Sequence, residues 1–207
     1  VIKPFGPTIG ITKLTKTTVT RLNSFSEKVV GSSDLTKKYD FDSHLIGSMK
    51  QQFRVPQKVL KSGIENIIKK SIKDYYKKTL NIKVKKIRID KVWVVSQYAG
   101  DFNPPHMHTQ HVSFVLFTSD TSGLDDEVAA WKGTGPAPGD LILTYGEHSY
   151  KYSPPWTIIN HNRNKKKGDL YIFPALLKHW VAPFKSDFER VSVSGNLKFR
   201  EMVSDPF

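Results

Sequence analysis

Two hydrophobic periods divide the chain. Between Gln57 and Leu80 the apolar residues Leu60, Ile64, Ile67, Ile68, Ile72, Tyr75, Tyr76 and Leu80 recur three or four positions apart. That spacing gathers them on one side of a helix, and Pro56 suits its first turn. Lys61, Lys69, Lys70, Lys73, Lys77 and Lys78 take the opposite side. Thr15–Val30 predicts a shorter helix, with Val19, Leu22, Phe25 and Val29 aligned. From Ile82 onward the pattern becomes short β-rich runs: Ile82–Ile89, Val92–Tyr98, Val112–Thr118, Leu141–Tyr145, Trp156–Asn160, Leu170–Phe173, Trp180–Phe184 and Val191–Phe199. Gly100-Asp101, Gly139-Asp140 and Gly168-Asp169 mark turns before several of them. Many short strands without intervening helices predict a mainly β fold with flanking α, a sandwich or jelly roll whose N-terminal helices pack on one sheet. We expect a single domain over 1–207, with 1–81 as a helical, basic support and 82–200 as the β core. Thr121–Pro138 reads as a surface loop or lid, and Asn160–Lys167 as a hairpin tip.

Composition narrows the chemistry. The 207 residues contain no cysteine. Disulfides, Cys-ligated zinc, iron–sulfur clusters and thiol catalysis are therefore excluded, and any metal must be held by His, Asp, Glu or Gln. The net charge of +13 invites a polyanionic partner. Between Lys50 and Lys91, however, twelve Lys and two Arg stand against Glu65, Asp74 and Asp90, so +11 of that charge lies in one stretch. The basic character thus belongs to the long helix and its flanks. We read it as a solvated face. A docking face for nucleic acid through Lys61, Lys69, Lys70, Lys73, Lys77 and Lys78 is the less favoured reading, because aromatic residues for base stacking are sparse there. No run reaches the ~18 apolar residues of a membrane helix, and Val1–Pro7 shows no apolar run of signal-peptide length. A cytoplasmic protein is expected.

Three features of the β region look unlike core packing. Asn103-Pro104-Pro105-His106-Met107-His108 carries two histidines two positions apart, which an extended segment turns to one face. His179 follows Gly168-Asp169-Leu170-Tyr171-Ile172-Phe173-Pro174 after a short turn. Arg190, Ser192 and Ser194 share one face of the last strand, with Val191, Val193 and Leu197 on the other. Taken singly, each has an ordinary reading: a loop pair, a structural histidine, an exposed strand face. An inward Arg would need a partner, and a carboxylate ligand is a good one.

In combination, the order of His-x-His, a Gly-Asp strand ending in Phe-Pro, a distant His and then Arg-x-Ser resembles the iron(II)/2-oxoglutarate-dependent oxygenases. The likeness is to the prolyl-hydroxylase-like branch and its small bacterial and phage members, and it covers about Val92 to Phe199. Gln97-Tyr98-Ala99-Gly100-Asp101-Phe102 looks like the strand lining the co-substrate pocket in that family. The resemblance implies a double-stranded β-helix. It implies Fe(II) held by His106, His108 and His179, and 2-oxoglutarate as co-substrate with its far carboxylate on Arg190, helped by Ser192 and Tyr98. It also implies O2 as oxidant and hydroxylation of a peptidyl (prolyl-like) or small-molecule C–H bond, with succinate and CO2 released. One departure stands out: the family's metal-binding carboxylate would sit where this chain has His108. Asp101 or Glu147 reaching in, or His108 paired with Gln110, are the alternatives. A jelly-roll metal- or ligand-binding module without turnover, and a nucleic-acid-directed oxygenase, are the rival functions.

The remaining candidates read as structural. His111 is out of phase with His106 and His108 and should face outward. His44, His148 and His161 read as surface. Trp131, Trp156 and Trp180 read as core or rim packing rather than an aromatic substrate wall. Asn196 follows Ser194 inward.

Overall fold

The computed structural model describes residues 6–133, 135–145, 156–158 and 167–204. Strand β1 (Gly10–Lys13) precedes helices α1 (Lys16–Val30) and α2 (Ser33–Tyr39), and β2 (Gln51–Arg54) leads into α3 (Gln57–Val59) and α4 (Glu65–Leu80). The strands β3 (Ile82–Lys85), β4 (Arg88–Gln97), β5 (Asn103–His106) and β6 (Val112–Phe117) follow, then α5 (Asp125–Ala130). The chain continues through β7 (Leu141–Thr144), β8 (Trp156–Ile158), β9 (Asp169–Pro174), β10 (Lys178–Val181), β11 (Arg190–Lys198) and β12 (Glu201–Ser204).

The strands form a six-stranded sheet in the order β1-β9-β6-β11-β4-β2 and a four-stranded sheet in the order β5-β10-β7-β8. Every ladder in them is antiparallel. Strand alternation gives the larger sheet two different faces. Val94, Phe114, Leu116, Leu170, Ile172, Val193 and Leu197 join Val19, Leu22, Ile64, Ile68 and Ile72 of the helical layer in one buried cluster. From the other face Val115, Phe117, Tyr171 and Phe173 meet Leu141 and Leu143 of the smaller sheet. Helices on the outer face of one sheet and a second sheet on its inner face form the expected double-stranded β-helix. No described helix is long and apolar enough to cross a membrane.

Several elements differ from the sequence pattern. The long helix breaks at a π-turn over Leu60–Ile64, where Gly63 takes φ +104. The Ser62 carbonyl freed by that break accepts a 2.7 Å bond from Arg21 Nη1. The runs 82–89 and 92–98 are recut, because Lys86 adopts φ 50 and turns the chain between β3 and a ten-residue β4. Strand β10 starts before His179 and ends at Val181, so His179 lies within the strand rather than at its start. The N-terminal region also adds β1 and β2 to the large sheet. The expected loop after Thr121 contains a 3-10 turn (Ser122–Leu124) and α5. The Glu127 carboxylate of α5 accepts from Lys185 N, Ser186 N and Ser186 Oγ at 2.6–2.9 Å. Glu147, His148, His161, the side chain of Trp156 and the tip at 159–166 lie outside the described residues.

Candidate active site

The inner face of the large sheet is polar along β11. Arg190, Ser192, Ser194 and Asn196 project into one pocket with Trp93 and Val95 of β4 and Ser113 of β6. Opposite them stand β5 and β10, which pair antiparallel with His106 facing His179 across the ladder. His108 follows two residues beyond the end of β5, its backbone N–H bonded to Ala175 O at 2.9 Å. The ring centroids of His106 and His179 are 4.3 Å apart, those of His106 and His108 5.0 Å, and those of His108 and His179 5.2 Å. Each ring offers a ligand nitrogen within 4.8 Å of the others. The structure therefore brings together the three histidines singled out from the sequence.

Their chemistry is that of neutral imidazoles. His106 Nδ1 lies 2.7 Å from Pro104 O and His179 Nδ1 lies 2.8 Å from Leu177 O. A carbonyl only accepts, so both Nδ1 atoms carry the proton and both Nε2 atoms keep a free lone pair. Such backbone bonds fix ring orientation as well as tautomer. Burial lowers all three pKa values; that of His108 falls to about 4, with smaller effects of His106 and Lys91, and that of His179 to about 3, with smaller effects of His106 and His108. Among the described residues no carboxylate joins the cluster or lines the pocket. Asp101 is engaged elsewhere: its Oδ2 accepts from Lys50 N and Tyr98 N, each at 3.0 Å.

Arg190 lies at the far end of the pocket. It is 1% exposed. Its Nη1 donates to Gln97 Oε1 at 3.1 Å, and its guanidinium carbon sits 4.8 Å from the Phe117 ring centroid. Its Nε and Nη2, which form one edge of the guanidinium, have no hydrogen-bond partner among the described residues. Burial lowers its pKa to about 10, with the charge of Asp140 opposing the shift. Gln97 is itself oriented: its Nε2 donates to Asp101 O at 2.9 Å and Ala182 O at 3.3 Å, which turns Oε1 toward Arg190. Ser192 lies one same-face step along β11 and also lines the pocket.

Tyr98 lies outside this pocket. Its hydroxyl donates to Glu189 Oε1 at 3.0 Å, and Lys50 Nζ stands 4.9 Å from its ring centroid. The reason is strand phase: Trp93, Val95 and Gln97 face inward, so Tyr98 faces away. Gln97 occupies the place expected of Tyr98. The signal for it was alternation along 92–98, which the neighbouring aromatic residue obscured. His111 is exposed and stacks on Phe199, as its phase predicts. Trp180 lines the pocket, and Trp131 is exposed.

A family model described as "Putative 2OG-Fe(II) oxygenase" matches residues 91–196, a span holding all three histidines and Arg190. No curated protein matches the chain. Among solved structures, the chain is similar to a Pseudomonas putida prolyl-4-hydroxylase, at 14% identity over 93% of each chain with TM-score 0.56. It is similar to HygX from Streptomyces hygroscopicus with nickel and 2-oxoglutarate bound, at 8% identity over 92% of this chain and 82% of that one with TM-score 0.55. A Trichoplax adhaerens prolyl hydroxylase in complex with a hypoxia inducible factor peptide fragment matches at 12% identity over 92% and 82%, with TM-score 0.56. At these identities the likeness is one of fold.

Proposed function

The chain belongs to the 2OG-Fe(II) oxygenases, and from that premise we propose that it hydroxylates a C–H bond of a peptidyl, prolyl-like, or small-molecule substrate. The observation that carries this reading is Arg190, a buried cation whose Nε and Nη2 edge is unpartnered in the same pocket as three neutral imidazoles. Buried N–H donors left without acceptors are costly, and a planar carboxylate fits that edge through two parallel N–H···O bonds. His106, His108 and His179 would hold Fe(II) through nitrogens free of protons. Arg190 would take the far carboxylate of 2-oxoglutarate, with Gln97 holding the guanidinium in place and Ser192 beside it. Ligand and co-substrate groups thus converge from two sheets on one pocket. When bound, iron supplies the redox chemistry that couples loss of CO2 from 2-oxoglutarate to oxidation of the substrate. The balance is one O2 consumed, one oxygen atom entering the substrate as hydroxyl and the other entering succinate. The protein's share is to orient both molecules, keep the imidazoles neutral and limit water around Arg190.

The absence of a carboxylate beside the histidines, among the described residues, favours a second reading: a metal- and ligand-binding module without turnover. One experiment separates the two. The full chain is loaded anaerobically with Fe(II) and desalted, its metal content is measured, and succinate formation from 2-oxoglutarate in air is followed by NMR. The oxygenase reading expects about one bound iron, slow succinate formation without substrate, and loss of iron in His179→Ala. Retained iron with no succinate would move the assignment to the binding module. Neither iron nor succinate would overturn both.

A further inference from the structure

The inner faces of β11 and β4 form a row of cross-strand pairs. Arg190 faces Gln97, Ser192 faces Val95, Ser194 faces Trp93 and Asn196 faces Lys91. Cross-strand partners project to the same side of a sheet. Lys91 therefore ends the row that Arg190 begins, about 20 Å away at ~3.3 Å per residue. Lys91 lines a groove of about 420 Å³ that shares Trp93, Asn103, His106, His108 and Asn196 with the pocket. His106 and His108 thus stand on the boundary between a cavity served by one cation and a groove served by another.

Four observations describe what the groove would take. No acidic residue lines it among the described residues. The carboxylate next to Lys91 in sequence, Asp90, is engaged by Gln110 Nε2 at 2.8 Å and Arg88 Nη2 at 3.5 Å. Lys91 Nζ rests 5.8 Å from the Phe41 ring centroid and has no ion-pair partner among the described residues. Asn196, 3% exposed, accepts from Ser113 Oγ at 2.7 Å through Oδ1, which leaves its Nδ2 donors for the cavity. Asn103 Oδ1, in the wall common to pocket and groove, is buried without a partner among the described residues. One donor and one acceptor are the complement of a secondary amide, and an unmet buried acceptor favours a ligand that supplies an N–H.

Building on the oxygenase reading, we propose that the groove binds an amide-linked acid, with the amide between Asn103 and Asn196 and the carboxylate at Lys91. An acidic peptide segment and an N-acylated acidic amino acid share this chemistry.

The test uses fluorescence anisotropy on the metal-free full chain without 2-oxoglutarate, so that it does not depend on turnover. The probes are fluorescein-labelled Gly/Ala nonapeptides with a central Glu, Gln or Lys, and labelled N-acyl Glu, Gln and Lys. In at least one series the Glu probe binds about three- to tenfold tighter than the Gln probe, and the Lys probe binds weakest. Lys91→Gln removes the Glu–Gln difference and Lys91→Glu reverses the order of Glu and Lys. Asn196→Ala weakens all probes of that series alike. The series that binds identifies the source: peptide, small molecule or both. A Glu preference that survives Lys91→Glu overturns the proposal, as does equal binding of a labelled alkyl carboxylate without an amide, or no binding by any probe. A Glu preference without succinate formation would leave this site standing and reject only the oxygenase reading.

Discussion

Arg190 shows how a buried residue can be held ready for a ligand at a cost to the fold. Gln97 satisfies Nη1, and the Phe117 ring covers the guanidinium, but the Nε and Nη2 edge has no hydrogen-bond partner among the described residues, and it is there that we propose a carboxylate binds. Arg190→Lys replaces that edge with a single point charge. We expect it to weaken 2-oxoglutarate binding by about 2–5 kcal/mol, the range for losing one partner of a buried charge pair, in calorimetric titration of the nickel-loaded chain. Gln97→Leu tests the support rather than the contact. It strands Nη1, so unfolding in urea should show a loss of about 1–3 kcal/mol in the free protein, together with weaker 2-oxoglutarate binding. Unchanged binding in both variants would remove Arg190 from the co-substrate site. That His106, His108, His179, Arg190 and Ser192 would meet in one pocket was legible in the sequence, because the resemblance and strand phase marked them. For Gln97 alternation along 92–98 marked an inward face, but its pairing with Arg190 was not legible, because that depends on a cross-strand register that only the folded chain displays.

At the level of elements, the periodic signal identified helices and strands where one face is buried and failed where it is short or interrupted. Lys16–Val30 forms within one residue of its predicted span. Strands β1, β2 and β5 were missed because four residues each, two of them proline in β5, carry too little alternation to read. The break in the long helix was missed for a different reason. Leu60, Ile64, Ile68 and Ile72 keep spacing of four through the π-turn, so the apolar pattern continues while the backbone does not. Gly63 makes that turn accessible, since φ +104 is strained for any residue with a Cβ. A Cβ there would meet only Arg21 Nη1, at 4.0 Å, so its cost is conformational rather than steric. Gly63→Ala should lower unfolding free energy by about 1–3 kcal/mol; a gain in urea stability would show that the segment prefers a regular helix. Ile72 of α4, 0% exposed in the cluster that packs on the outer face of the large sheet, tests the division of the sheet. Ile72→Ala should cost about 2–5 kcal/mol of stability while leaving 2-oxoglutarate affinity unchanged, because the pocket lies on the opposite face.

Across the whole molecule, the charge and the chemistry occupy different layers. The stretch from Lys50 to Lys91 holds +11 of the net +13. Ile68, Ile72, Tyr75 and Tyr76 of α4 are buried, while Lys70, Lys73, Lys77 and Lys78 are exposed and Lys69 is paired with Glu65 at 2.6 Å. The lysine face therefore points away from the large sheet, and the histidines lie beyond that sheet. A nucleic acid held on α4 would have both a helix and a sheet between it and the pocket. Any such binding should be phosphate-driven, indifferent to sequence and steeply salt-dependent. Replacing Lys70, Lys73, Lys77 and Lys78 together by Gln removes four exposed cations from one helix. If all four touch phosphates of a DNA duplex, the slope of log affinity against log salt should fall by about 3–4, measured by anisotropy with labelled duplex between low and moderate salt. Succinate formation from 2-oxoglutarate should stay at the parent rate, since none of the four lines the pocket or the groove. A matching loss of turnover would join the basic layer to the reaction. An unchanged rate with the salt slope reduced would confine its role to association, in keeping with a sheet that carries its packing on one face and its polar row on the other.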